Sequence, residues 1–303
     1  MMLLTVVAAT IGMPIVKLTV DVIAGTNVTI FVPAVVFVIS SKVTFTDILR
    51  ELQRPWLLLR TLGIACLAVP LMTAGVVKIL NVPLLLGGVM LIASVAPADP
   101  FDLLETQGKK GSIALVSANM AFLCLVLPLT APIWLWVFSQ WFPLHLSVSP
   151  ARLFVTIAPI TVLPLLAGMA FHTGWPSFAK ILQRFLEWFF RIAIIILVLV
   201  FIQLALEAMS KFNLVSVASI VIVVTLSIFA GYYAGGSNRK DRISLALTAS
   251  LGNLAVVMVI AHLCYPKVHV WGTVLAWVLL RWLTIMLWYL FLRVRLFRRG
   301  EVL

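Results

Sequence analysis

Apolar runs long enough to cross a bilayer follow one another along almost the whole chain. They predict helices at about 2–23, 27–41, 56–79, 82–98, 112–138, 153–171, 186–209, 215–234, 243–263 and 268–292. A helix needs roughly 17–25 predominantly apolar residues to span the hydrocarbon core. Two of the runs are broken at membrane depth by polar and helix-breaking residues. One break reads Ala93-Ser94-Val95-Ala96-Pro97-Ala98-Asp99-Pro100 and the other Thr248-Ala249-Ser250-Leu251-Gly252-Asn253. They lie roughly half a chain apart, one in each half. Backbone groups in lipid must all find partners, so a broken helix persists only inside protein or beside water. Either Pro97 and Gly252 kink ordinary helices, or the breaks are equivalent elements of two repeats; their matching positions favour the second.

The charges between the runs set an orientation. With ten spans and both termini in the cytoplasm, fourteen Lys and Arg fall inside, among them Lys42, Arg54, Lys109, Lys110, Arg239 and Arg242. Only Arg152, Lys211 and Lys267 fall outside. Basic residues concentrate on the cytoplasmic side of membrane proteins, and one miscounted internal span would destroy this asymmetry. Ten spans divide into five and five. Residues 1–138 then form one inverted repeat, 153–292 the second, and 293–303 a basic cytoplasmic tail suited to anionic lipid. The expected fold is an all-α polytopic membrane protein of about ten helices, with two broken helices crossing near the midplane.

Composition narrows the class. Hydrophobic residues make up 63% of the 303 and charged residues 11%, less than half the charged share of a soluble domain. The net charge of +12 is spread over the loops, and no motif suggests nucleic acid as a partner; the partner is the lipid bilayer. Cys66, Cys124 and Cys264 lie in apolar stretches with no CxxC, as small core hydrophobes do. No basic n-region precedes the first apolar run, so a removed signal peptide is not expected. No His/Asp/Glu cluster has metal-ligand spacing and no nucleophile has a base near it, which argues against an enzyme. Sparse polar positions argue against a channel.

The breaks hold the candidate chemistry. An unwound helix frees carbonyl oxygens for a small cation and turns helix ends toward a charged substrate. Ser94, Pro97, Asp99, Thr248, Ser250 and Asn253 belong to the breaks, and Ser117 and Asn119 in the fifth span could face the same crossing. A sodium ion could sit near Ser94, Thr248 and Asn253. Asp99 is either an intramembrane carboxylate on an ion or proton path or the cap of a short helix opening the loop with Asp102 and Glu105. Arg281 lies deep in the last span, where it could bind an anionic substrate or form an ion pair with Glu207. Lys17 and Asp21 neutralise one another at four residues' spacing, and Arg60 and Lys78 snorkel from helix ends. His262 is a pH sensor or a plain interfacial histidine. Asn27-Val28-Thr29 has the form of a glycosylation acceptor but abuts a span.

From Val32 to Arg295 the chain resembles the bile acid:sodium symporter superfamily, most of all a divergent bacterial, sodium-dependent-transporter-like branch. The likeness is carried by Leu49-Arg50-Glu51-Leu52-Gln53-Arg54-Pro55-Trp56, by Leu91–Pro97 with Lys109-Lys110-Gly111, and by Leu247–Pro266. The resemblance implies a panel domain and a core domain with two crossed, unwound helices. It also implies alternating access in a bacterial cytoplasmic (inner) membrane, with sodium driving uptake of a small organic anion. Sodium-coupled relatives have Pro-Gly-Gly followed by Ser-Asn at the first break, where this chain has Pro97-Ala98-Asp99-Pro100-Phe101-Asp102. At the second break Thr248 stands near the family's acidic position and Gly252 near its Gln, with Asn253 retained. The sodium ligands therefore do not carry over as a set, and the coupling ion is expected to be Na+ or H+, with no other cofactor. A receptor or assembly partner that has kept the fold without transport is the alternative. Oligomeric state is left open, since no small-residue stripe marks a dimer face.

Overall fold

The computed structural model describes residues 33–297, apart from 42–44, 98–105, 107–110, 143–148, 266–269, most of 179–204 and some single positions. Every element among the described residues is helical: α1 Phe45–Leu52, α2 Pro55–Ile79, α3 Leu84–Ser94, α4 Ile113–Trp141, α5 Pro150–Gly174, α6 Leu214–Ala234, α7 Arg239–Ser250, α8 Leu254–Cys264 and α9 Trp271–Phe297. Within these bounds, 55–79, 115–141, 150–174, 214–234 and 271–291 are long and apolar enough to cross a membrane. The chain is an integral membrane protein. The predicted span at 2–23 and the first part (27–32) of that at 27–41, with Lys17, Asp21 and Asn27, lie outside the described residues, as does most of 186–209.

Local chemistry explains where the helices begin and end. Ser149 accepts a hydrogen bond from the Arg152 N–H ahead of Pro150 at the first helical position, so α5 starts three residues before the expected 153. Asn213 caps α6 and Ser112 caps α4 in the same way. The last helix runs on through Arg293 and Arg295 to Phe297, so the basic tail begins as helix. Outward-facing Leu67, Leu129, Ile133, Leu163, Leu283 and Leu287 are exposed, as expected of surfaces solvated by acyl chains. All three cysteines are buried free thiols.

Proline inside a spanning helix leaves a carbonyl without its usual partner. In α2, Pro70 follows a π-helical turn at Ile64–Ala68. The missing Pro70 N–H would have bonded to the Cys66 carbonyl, and the Trp134 indole Nε1–H on α4 donates to that oxygen at 2.7 Å instead. The bond ties α2 to α4 and satisfies a group that lipid could not. Trp134→Phe is therefore expected to lower stability by about 1–2 kcal/mol, measured as a drop in the thermal midpoint of the purified protein.

The core sits between α2, α3, α6 and the two short helices α7 and α8. Gly231 lets the backbones of α6 and α7 meet, since a Cβ there would collide with the Leu245 carbonyl and the Ala246 Cα. Two packing relations mirror one another: α3 packs on α9 and α7 packs on α4.

Candidate functional site: the crossing of the two breaks

Each break begins where a short helix ends in serine. Ser94 closes α3 and donates to the Leu91 carbonyl at 2.7 Å. Ser250 closes α7 and donates to the Leu247 carbonyl at 3.0 Å. Each hydroxyl bonds three residues back, in competition with the helical ladder, as serine does at a terminus. The chain then unwinds, and the two unwound stretches touch. The Asn253 N–H donates to the Ala96 carbonyl at 2.7 Å. The Asn253 side chain accepts from the Val256 N–H at 3.2 Å and so starts α8. Thus the amide of one break satisfies the freed carbonyl of the other.

Glycine is required at this contact. A Cβ on Gly252 would lie 2.8 Å from the Ala93 carbonyl oxygen and 3.5 Å from the Trp277 ring. Pro97 has no N–H to return to Ala93, and the Ala96 N–H donates to that carbonyl at 3.3 Å instead.

A cavity of about 30 Å³ opens beside the contact, room for about two water molecules. It is lined by Ser94 and Pro97 from the first break and by Thr248, Ser250 and Gly252 from the second, with Thr73, Ser227 and Trp277 closing it from α2, α6 and α9. Among the described residues the lining contains no carboxylate. The Thr248 hydroxyl is buried without a hydrogen-bond partner among the described residues.

Of the sequence-derived candidates, Ser94, Pro97, Thr248 and Ser250 share this cavity, and Asn253 bonds at its edge. Ser117 and Asn119 are buried on α4 outside the cavity lining. Neither amide atom of Asn119 has a hydrogen-bond partner among the described residues. The start of α4 meets the middle of α7, with the Ser112 N–H donating to the Ser244 hydroxyl at 2.8 Å and Leu115 packing on Leu245. Buried polar groups are ordinarily satisfied, and exceptions cluster where a ligand or water is handled. Asp99 falls outside the described residues.

Thr73 and Ser227 did not stand out in the sequence. The available signal was positional: each is a small polar residue in the middle of an apolar span, and they lie about as far apart in the chain as the two breaks.

Arg281 requires a correction. Its expected ion-pair partner, Glu207, lies exposed and pairs with Lys211 at 3.4 Å. Arg281 is 2% exposed. Its Nη1 donates to the Gly252 carbonyl at 2.8 Å, and its guanidinium carbon lies 4.8 Å from the centre of the Trp277 ring. A buried cation thus sits on the second break, held by a freed carbonyl and an aromatic face. His262 stacks on Trp271 with 5.9 Å between ring centres, a packing role.

The other ionic feature is at the start of α7. Asp241 is buried and forms a salt bridge with Arg54, which precedes α2. The neighbouring Arg242 donates from Nε to the Gly236 carbonyl and lies 5.5 Å from the Tyr232 ring centre. Arg54 was expected only as a topology-setting loop charge; its partner is 187 residues away.

No curated protein matches the chain. The family model described as the Sodium Bile acid symporter family matches residues 29–212, more than half the chain, including the first break and ending before α6. A bundle of apolar helices with two touching breaks and a match of this extent identify an integral membrane transporter: the chain belongs to the sodium bile acid symporter family.

Proposed function

We propose that this protein is a secondary active transporter that moves a small organic anion across the bacterial inner membrane by alternating access, driven by an ion gradient. The observation that carries the reading is the contact between the two breaks, where the Asn253 N–H meets the Ala96 carbonyl at 2.7 Å. Secondary transporters place substrate and ion sites at such paired discontinuities near the midplane. The mirrored packing of α3 on α9 and of α7 on α4 supports two inverted five-helix repeats, 1–138 and 153–292, with both termini cytoplasmic. Family membership supports a symporter of organic anions, and substrate would enter between a core carrying the crossing and the remaining panel helices. Ser94, Pro97, Thr248, Ser250 and Asn253 would form the floor of that site, with Ser117 and Asn119 on the approach.

The test is uptake into proteoliposomes. Purified protein is supplied with radiolabelled carboxylates and sulfonates, a bile acid among them, under an inward sodium or proton gradient. Accumulation above the equilibrium level supports the reading. Saturable binding with no gradient-dependent accumulation supports a non-transporting receptor instead. Asp99, which the sequence leaves as either a carboxylate on a proton path or a helix cap, gives a sharper arm. Asp99→Asn is expected to cut pH-gradient-driven uptake at least tenfold, and full uptake by the variant removes Asp99 from the mechanism.

A further inference from the structure

We infer that Arg281 is a tethered cation: its guanidinium permanently fills the position on the second break where a free coupling cation would otherwise bind. The inference rests on the transporter reading for its meaning, though not for its geometry.

Three observations lead to it. Two helix C-termini converge on the crossing, α3 ending at Ser94 and α7 at Ser250, and each brings roughly half a negative charge from its aligned peptides. The unwound stretch adds the Gly252 carbonyl, a hard oxygen of the kind that ligates small cations. The N-terminus of α8, capped by Asn253, offsets part of that potential, and among the described residues the lining of the adjoining cavity is uncharged. A full unit of positive charge comes from outside the lining. Arg281 reaches in from α9, donates to the Gly252 oxygen at 2.8 Å and rests on Trp277, which is itself a wall of the cavity.

Two monovalent cations cannot share that oxygen at bonding distance, because their repulsion in a low-dielectric site is many times thermal energy. A guanidinium is also suited to permanence. It stays protonated at any working pH and is more weakly hydrated than an ammonium, so it is retained in dry surroundings. The chain's own residues agree with a position that no longer needs an ion: Thr248, which brings a hydroxyl and no charge, lines the same cavity.

The experiment compares thermal stability of the purified full-length protein in sodium chloride, potassium chloride and methylguanidinium chloride at matched ionic strength, below 150 mM so that denaturation plays no part. Wild type is expected to have the same midpoint in all three. Arg281→Ala vacates the position, so its midpoint is expected to rise by about 3 °C or more in sodium or methylguanidinium relative to potassium. Arg281→Lys keeps a tethered charge and is expected to respond as wild type does. Should Arg281→Ala fail to fold, Arg281→Gln keeps the bulk and a donor while removing the charge, and the same sodium-selective gain is expected of it. A sodium-selective shift of equal size in wild type and the neutral variant overturns the proposal, as does a neutral variant indifferent to every cation. These readouts need no transport. A protein that failed the uptake test could still show cation exchange at Arg281, and an active carrier could fail to show it.

Discussion

Gly252→Ala is expected to abolish gradient-driven uptake and to destabilise the protein by about 3 kcal/mol. The added Cβ would lie 2.8 Å from the Ala93 carbonyl oxygen, a backbone atom that cannot swing aside as a side chain can. Relief requires the two breaks to separate. Separation stretches the Asn253–Ala96 hydrogen bond and leaves an amide and a carbonyl unpaired where neither lipid nor bulk water reaches them. It also draws the Gly252 carbonyl away from Arg281, so the buried guanidinium loses a partner. Uptake by the reconstituted variant and its thermal midpoint check the two halves of this expectation. Normal uptake with a wild-type midpoint would mean that the breaks are free to move apart and that their contact is incidental.

The second large effect lies at the start of α7. Arg54→Ala leaves the Asp241 carboxylate, whose side chain is only 3% exposed, without its cation. Removing one member of a buried pair typically costs 3–5 kcal/mol. Here Arg54 is 44% exposed and water already screens part of the attraction, so about 2 kcal/mol is expected. Adding Asp241→Asn to Arg54→Ala should recover part of the loss, because the unpaired charge is then gone. Chemical denaturation of both variants and of Asp241→Asn alone completes a cycle that isolates the pair. A double variant less stable than Arg54→Ala would show that Asp241 contributes through packing or hydrogen bonds rather than through its charge.

The sequence was informative wherever the physics is local. Hydrophobic runs placed α2 and α6 to within a residue of their observed ends, since span length follows from the thickness of the bilayer. Pro97 and Gly252 marked both interruptions, because a missing N–H and a missing Cβ act on the backbone at their own position. Boundaries slipped where a neighbour acted as a cap: Ser149 moved the start of α5, and the serine-terminated α3 stopped at Ser94 rather than 98. The candidate site was legible as two separate lists of polar residues.

Only the tertiary structure decided what those lists face. Periodicity and breaker residues say which stretches are helical, and nothing in them encodes a partner more than a few turns away. The bond between Ala96 and Asn253, the closing of one cavity by Thr73, Ser227 and Trp277, and the Arg54–Asp241 pair all join residues far apart in the chain. Arg281 shows the difference most plainly. By itself the sequence determined that a cation lies deep in an apolar span, where it must be neutralised. Glu207 was the obvious partner by charge, yet helix packing put the Gly252 carbonyl and the Trp277 face against the guanidinium.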